Sequence, residues 1–111
     1  MANTTFSGPV RSENGFEAIT KNTSTGAVDL TNLITEVTTT GADALTLADG
    51  STSGQVKIIN MIVDGGDGTL TPTTFANGTT ITFDAVAESV TLVWNSTIGW
   101  VATSVQGATI A

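Results

Sequence analysis

The chain has 111 residues, a formal net charge of −7, and neither cysteine nor histidine nor tyrosine. A chain of this length suits one domain and can bury a hydrophobic core without disulfides. The missing residue types exclude disulfides, thiolate or imidazole metal ligands, and Cys or His nucleophile–base pairs. We therefore expect no enzymatic activity, no cofactor and no metal site. With only three Lys and Arg residues, nucleic-acid binding is not expected either.

Threonine dominates the polar residues, with 23 Thr against 8 Ser and 7 Asn, while charged residues reach only 12%. Threonine is β-branched and favours extended backbone, so this composition predicts strands rather than helices. The longest apolar run is too short to cross a bilayer, and no signal-peptide pattern begins the chain. We therefore predict a soluble all-β protein with no membrane partner.

The start of the chain has no alternating pattern and contains a Gly-Pro pair. We predict an extended N-terminal arm over residues 1–15, followed by a single β domain over residues 16–111. The arm can supply backbone hydrogen bonds to a partner's strand edge, although it could instead pack back on its own domain. The candidate partner-binding residues of the arm are Phe6, Pro9, Val10 and Arg11.

From Phe16 onward, apolar and polar residues alternate between turn signals, which is typical of strands. Residues 31–36 are ambiguous and could hold a short helical turn. Residues 55–63 are nearly continuous in apolar side chains, which predicts a central strand buried on both faces. Pro72 predicts an edge strand or a bulge at residues 69–73.

Short strands at this spacing indicate an antiparallel β-sandwich or a small barrel, with the arm extending from it. Few lysines and prolines protect the sheet edges, which indicates that partners cover them. The predicted core residues are Val56, Ile58, Ile62, Ile81, Phe83, Val90 and Leu92.

Two further features suggest candidate sites. Trp94 and Trp100 flank a predicted turn and should form a hairpin; Trp94 continues a core face, whereas Trp100 could be core or partner-binding. The loop at residues 64–68 carries Asp64 and Asp67 among glycines and could wrap a calcium ion. It lacks the spacing of an EF-hand loop, so we expect a plain turn at these glycines, with an ion site as the alternative.

Several stretches resemble small virion structural proteins of marine tailed bacteriophages. The matching segments are residues 5–16 (TFSGPVRSENGF), 54–57 (GQVK), 64–66 (DGG), 71–72 (TP), 78–83 (GTTITF), 90–92 (VTL) and 99–100 (GW). The resemblance implies a capsid decoration (cement) protein that binds the major capsid protein on the outer surface of the virion. It also implies a homotrimer and no catalytic residues. The alternative is a head- or tail-fibre adhesin domain that recognises host glycans.

Overall fold

The computed structural model describes residues 4–111, so the first three residues of the predicted arm lie outside the described residues. Across that range the chain has no helix and forms ten strands in two five-stranded sheets. The first sheet is ordered β1 (Thr20–Thr23), β3 (Ile34–Thr38), β5 (Val56–Val63), β8 (Ser89–Asn95) and β9 (Gly99–Gln106). The second is ordered β10 (Thr109–Ile110), β7 (Ile81–Phe83), β6 (Gly68–Pro72), β4 (Asp43–Leu47) and β2 (Gly26–Ala27).

Both sheets are mixed, which corrects the prediction of a wholly antiparallel arrangement. From β1 to β6 the chain alternates between the sheets, so strands adjacent in sequence do not pair. Instead β1, β3 and β5 pair in parallel, and so do β2, β4 and β6. Antiparallel pairs with β7, β8, β9 and β10 complete the two sheets. The all-β prediction and its sandwich alternative are confirmed, and no closed barrel forms.

One hydrophobic core fills the space between the sheets. Its members come from alternate positions along the strands, because successive side chains of a strand point to opposite faces. The buried apolar residues are Val28, Val37, Leu45, Leu47, Ile59, Met61, Leu70, Ile81, Phe83, Val90, Leu92, Trp94 and Trp100. Four predicted core residues, Ile81, Phe83, Val90 and Leu92, are confirmed in this set.

The prediction that β5 is buried on both faces is wrong. Val56 is 40% exposed and Ile62 is 38% exposed, while Ile58 is half-buried. The side chains on only one face of β5 point towards the second sheet, and those on the other face point outward. The face directed at the core carries Lys57, Ile59 and Met61. Because Lys57 occupies one of these inward positions, the alternation of apolar and polar residues did not reveal this face in the sequence.

The connection before β3 is a turn rather than the helical turn considered for residues 31–36. The Asp29 carboxylate accepts hydrogen bonds from the Thr31 backbone N–H (2.7 Å) and hydroxyl (2.6 Å), and β3 begins at Ile34. This side-chain-to-backbone contact replaces a helical hydrogen bond.

The strand that contains Pro72 is an interior strand, so the edge prediction is wrong. Pro72 is the last residue of β6, and pairing with β7 stops at Leu70. Because Thr73 N–H donates to Leu47 O on the β4 side (2.9 Å), the ring nitrogen of Pro72 points to the unpaired side. The missing N–H therefore removes no ladder hydrogen bond.

Replacing Phe83 tests the assigned core. Phe83 is fully buried between the sheets, so Phe83→Ala should lower the free energy of unfolding by about 3–5 kcal/mol. The matched control is Val86→Ala, because Val86 is exposed in the neighbouring loop and should change stability by no more than about 0.5 kcal/mol. Urea denaturation measures both. Equal effects of the two substitutions would contradict the assignment.

Candidate interaction site

The N-terminal arm is exposed along nearly its whole described length. Phe6 is 68% exposed, Val10 is 51% exposed and Phe16 is 82% exposed. Within the described range, no backbone hydrogen bond joins residues 4–18 to the rest of the chain. The arm thus leaves apolar side chains and backbone polar groups in solvent, instead of packing back on its own domain.

A bend divides the arm just before it meets the domain. Gly15 has a φ of +82°, which side-chain-bearing residues rarely adopt, and the Ser12 hydroxyl donates to Gly15 O. Pro9 fixes the backbone ahead of the bend and has no N–H to donate. Arg11 lies exposed between Pro9 and the bend, and forms no ion pair within the described part.

The strands β1 and β2 are edges of their sheets and follow one another in the chain, so they form one open end of the sandwich. Ile34 N–H donates to Ile19 O at 3.3 Å. Because the backbone polar groups of successive strand residues point to opposite sides, those of Ile19, Lys21 and Thr23 point towards β3. The backbone N–H and C=O groups of Thr20 and Asn22 therefore face outward. They can accept and donate the hydrogen bonds of one more strand.

Lys21 is an inward-facing charge on the β1 edge. Its ammonium group binds the Asp29 carboxylate at 3.1 Å, with the lysine side chain about half exposed. Hydrogen bonds from Thr31, followed by Lys21, lower the pKa of Asp29 well below its ordinary value. This carboxylate stays ionised at neutral pH and holds the turn beside the open end.

Lys57 is a buried cation in the core face of β5. Its Nζ donates to Asn32 O at 2.5 Å, and no carboxylate lies within ion-pair distance of it among the described residues. Burial lowers the pKa of Lys57 below its ordinary value because the charged form loses hydration. Sequence reasoning missed this residue, since lysine is seldom fully buried without a partner.

Trp100 does not contribute to an interaction surface. The predicted hairpin is confirmed by the β8–β9 pairing, in which Trp100 lies opposite Trp94. The rings meet edge to face with centroids 5.3 Å apart, and the indole N–H of Trp100 donates to Ala48 O at 2.9 Å. Trp100 is fully buried, so its assignment as partner-binding is wrong. Directly opposite residues of a hairpin share a face, so the core position of Trp94 could have predicted this result.

The glycine-rich loop at residues 64–68 is packed against the β3–β4 connection. The Thr39 hydroxyl donates to Gly66 O (2.6 Å) and accepts from Gly65 N–H (3.0 Å). A Cβ on Gly65 would lie 2.3 Å from Thr39 O, so backbone contact explains this glycine. Among the described residues, no group of three acidic side chains is placed to hold a metal ion.

No pocket is enclosed by residues 4–111. Helices long and apolar enough to span a membrane are absent from the same range. The exposed arm and the open end of the sandwich, beside β1 and β2, combine unpaired backbone groups with exposed apolar side chains.

Substituting Gly65 tests the packing of the loop. Gly65→Ala should lower the free energy of unfolding by more than about 1 kcal/mol, because the new methyl group meets the Thr39 backbone. Gly41→Ala is the control, since a Cβ there meets no atom within 4 Å. Thermal melts of both variants measure the difference. Tolerance of alanine at Gly65 would argue against the tight contact.

The buried lysine predicts a pH dependence of stability. Because the folded-state pKa of Lys57 lies below the unfolded value of about 10.5, the unfolded chain binds more protons between those two values. Stability should therefore rise as pH increases through that window. Lys57→Met should be at least as stable at pH 7 and should lose this rise. Denaturant titrations at several alkaline pH values provide the measurement, and an identical pH profile in the variant would contradict it.

Comparison with known proteins gives no relative from which a function could be taken. No protein-family description and no curated protein sequence matches the chain. The arm, the open end and the surface charge are the features of this chain that bear on its function.

Proposed function

We propose that this protein is a phage capsid decoration protein, which binds the outer surface of the capsid and stabilises contacts between major capsid subunits. The observation that carries the proposal is the exposed arm, whose apolar residues Phe6 and Val10 are not covered by their own domain. Exposed aromatic side chains of this kind are typical of protein–protein contacts.

The arm supplies the chemistry of strand addition. Residues 4–7 belong to no strand of the domain, and their backbone groups make no hydrogen bonds to it. An extended segment can pair with an exposed strand edge, while one aromatic side chain enters a pocket beside it. Arg11 adds a guanidinium group, which can form paired hydrogen bonds with a carboxylate. These properties support attachment to neighbours on a particle surface.

The two outward faces of the sandwich differ in chemistry. Burial and register place six small residues on the outer face of the second sheet: Ala44, Thr46, Thr69, Thr71, Thr82 and Thr109. Five aliphatic residues lie on the outer face of the first sheet: Ile34, Val56, Ile58, Val93 and Val101. The same face also carries Glu36, Asn60, Thr91 and Ser104, so these five residues form an apolar patch on a mixed face of the first sheet, whereas the second sheet offers small and mostly hydroxyl-bearing side chains. This asymmetry suits a protein that lies between a capsid and solvent.

Charge supports the outer side of the shell. The net charge of −7 is repelled by packaged nucleic acid, whose phosphates carry the same sign. The same charge keeps exposed surfaces soluble. We further propose a homotrimer bound to the major capsid protein, as the sequence resemblance implies.

The alternative function, a fibre adhesin that recognises glycans, is less well supported. Sugar sites commonly use an exposed aromatic platform, but Trp94 and Trp100, the tryptophans of this chain, are both buried. Copy number on purified particles distinguishes the two functions: hundreds of copies indicate decoration, and a few dozen indicate a fibre.

Deleting residues 2–12 tests the role of the arm. Without Phe6, Val10 and Arg11, the chain should bind undecorated capsids at least about tenfold more weakly, which corresponds to a loss of about 1.4 kcal/mol. Cosedimentation with capsids measures binding. Thr97→Ala, in the exposed β8–β9 turn, is a control that should bind like the intact chain.

The deletion is informative only if the domain stays folded, so circular dichroism and a cooperative melt near that of the intact chain accompany it. Full-strength capsid binding by the folded deletion variant would show that the arm is not the attachment element. The apolar face of the first sheet would then be the contact surface.

A further inference from the structure

We infer that the open edge of β1 is the receptor for the arm of a second copy, with residues 4–7 of one copy added as a strand beside β1 of the next. The inference rests on the proposed function, because it uses the same arm, and it identifies a sister chain as the neighbour that the arm engages. Both halves of the contact are present in one chain: β1 has no strand on its outer side, and residues 4–7 are exposed and make no backbone hydrogen bonds to the domain.

The receptor is a backbone surface with a defined chemistry. The outward N–H and C=O groups of Thr20 and Asn22 are spaced for one extended strand, and only extended backbone satisfies such a row. The β1 strand is four residues long. A donor of the same length would satisfy all of these groups.

The donor segment has a matching length and composition. Residues 4–7 (TTFS) contain neither glycine nor proline, and the Gly8-Pro9 pair ends the stretch. Threonine and phenylalanine favour strand conformation, whereas proline cannot donate a ladder hydrogen bond. The arm therefore offers one four-residue strand, and its remainder serves as a tether.

The open end also has apolar surface to cover. Ile19 belongs to the inward series of β1 by alternation with Lys21, yet it is 71% exposed because no strand of the second sheet lies over it. Leu33, which precedes β3, is also exposed. An added strand brings Phe6 next to these two side chains. Covering them removes apolar area from water, which drives association.

Charges on the two halves are complementary. Arg11 is the chain's single arginine. Glu36 lies on the outer face of β3, level with Asn22 of β1, and Glu17 precedes β1; neither carboxylate has an ion-pair partner among the described residues. Because Glu17 and Glu36 lie towards opposite ends of β1, a docked arm can bring Arg11 towards one of them whichever way the added strand runs. This pairing favours the sister arm over acidic segments of other proteins.

The arm is long enough to reach a neighbouring copy. Residues 4–18 span at most about 50 Å when extended, whereas the shorter dimensions of the molecule are 34 and 24 Å. The bend at Gly15 could return the arm as a hairpin, but no backbone hydrogen bond joins residues 4–11 to β1 in the structure. The edge is therefore left for another copy.

Complementation between two variants tests the contact without any capsid. Removal of residues 2–12 destroys the donor and leaves the receptor. Thr20→Pro removes an outward N–H at the first position of β1, where no hydrogen bond to β3 is lost, and leaves the donor. Thr20→Ser keeps the backbone group and is the matched control. Light scattering after size-exclusion chromatography gives the mass of each species.

The intact chain and Thr20→Ser should form assemblies that are multiples of the 11.2 kDa chain. Each defective variant alone should be a monomer, and their mixture should form a complex containing both. A monomeric intact chain would overturn the inference and indicate a self-docked arm. So would assembly of the arm-deleted chain by itself, or a mixture that stays monomeric while both variants remain folded.

A disulfide measurement guards against misfolding of the proline variant. The chain has no cysteine, so Ser7→Cys on one copy and Thr20→Cys on another should crosslink under oxidation, whereas Ser7→Cys with Thr97→Cys should not. Equal crosslinking of both pairs would contradict the docking position. If the intact chain self-assembles while the arm-deleted chain binds capsids at full strength, only the capsid-attachment role of the arm is refuted. If the intact chain is monomeric while the arm-deleted chain binds capsids weakly, only the docking of the arm on β1 of a second copy is refuted.

Discussion

The alternation of successive strands between two sheets is the constraint on which this structure depends. Since β1 to β6 cross from one sheet to the other at each step, each of the strands β1 to β4 forms a parallel pair with the strand two places later in the chain. The pairs Thr20 with Ile34 and Ile34 with Ile58 are built in this way. The last parallel strand of each sheet, β5 or β6, also pairs with a later antiparallel strand. The first parallel strand of each sheet, β1 or β2, has no strand on its other side. The open end beside β1 and β2 is thus a product of the topology.

The features that sequence could predict are those that local alternation records. The positions of Ile81, Phe83, Val90 and Leu92 follow from period-2 patterns, and the β8–β9 hairpin follows from patterns on both sides of a short turn. The arm was predictable because it lacks such a pattern. Parallel pairing was not, because the partner strands are far apart in the chain and no local residue records which strand will lie alongside.

The two features that local patterns did not reveal, the inward face of β5 and the open edge of β1, each have a physical reason. The faces of β5 were misread because Lys57 occupies an inward position, where a nonpolar residue would have marked the face. The open edge at Thr20 could not be found from local patterns either, because an edge is defined by the strand that is missing next to it. Candidate sites made of backbone groups therefore require the assembled sheet to be known, whereas side-chain motifs do not.

The placement of the basic residues makes the arm separable from the domain by limited proteolysis. Trypsin cleaves after lysine and arginine, and the chain has three such residues. Lys57 is buried and Lys21 lies within a paired strand, while Arg11 is exposed and lies outside any strand. A brief digestion of the folded protein would release the first eleven residues and leave the sandwich intact. Resistance of that one bond to cleavage would then report directly on whether the arm is engaged.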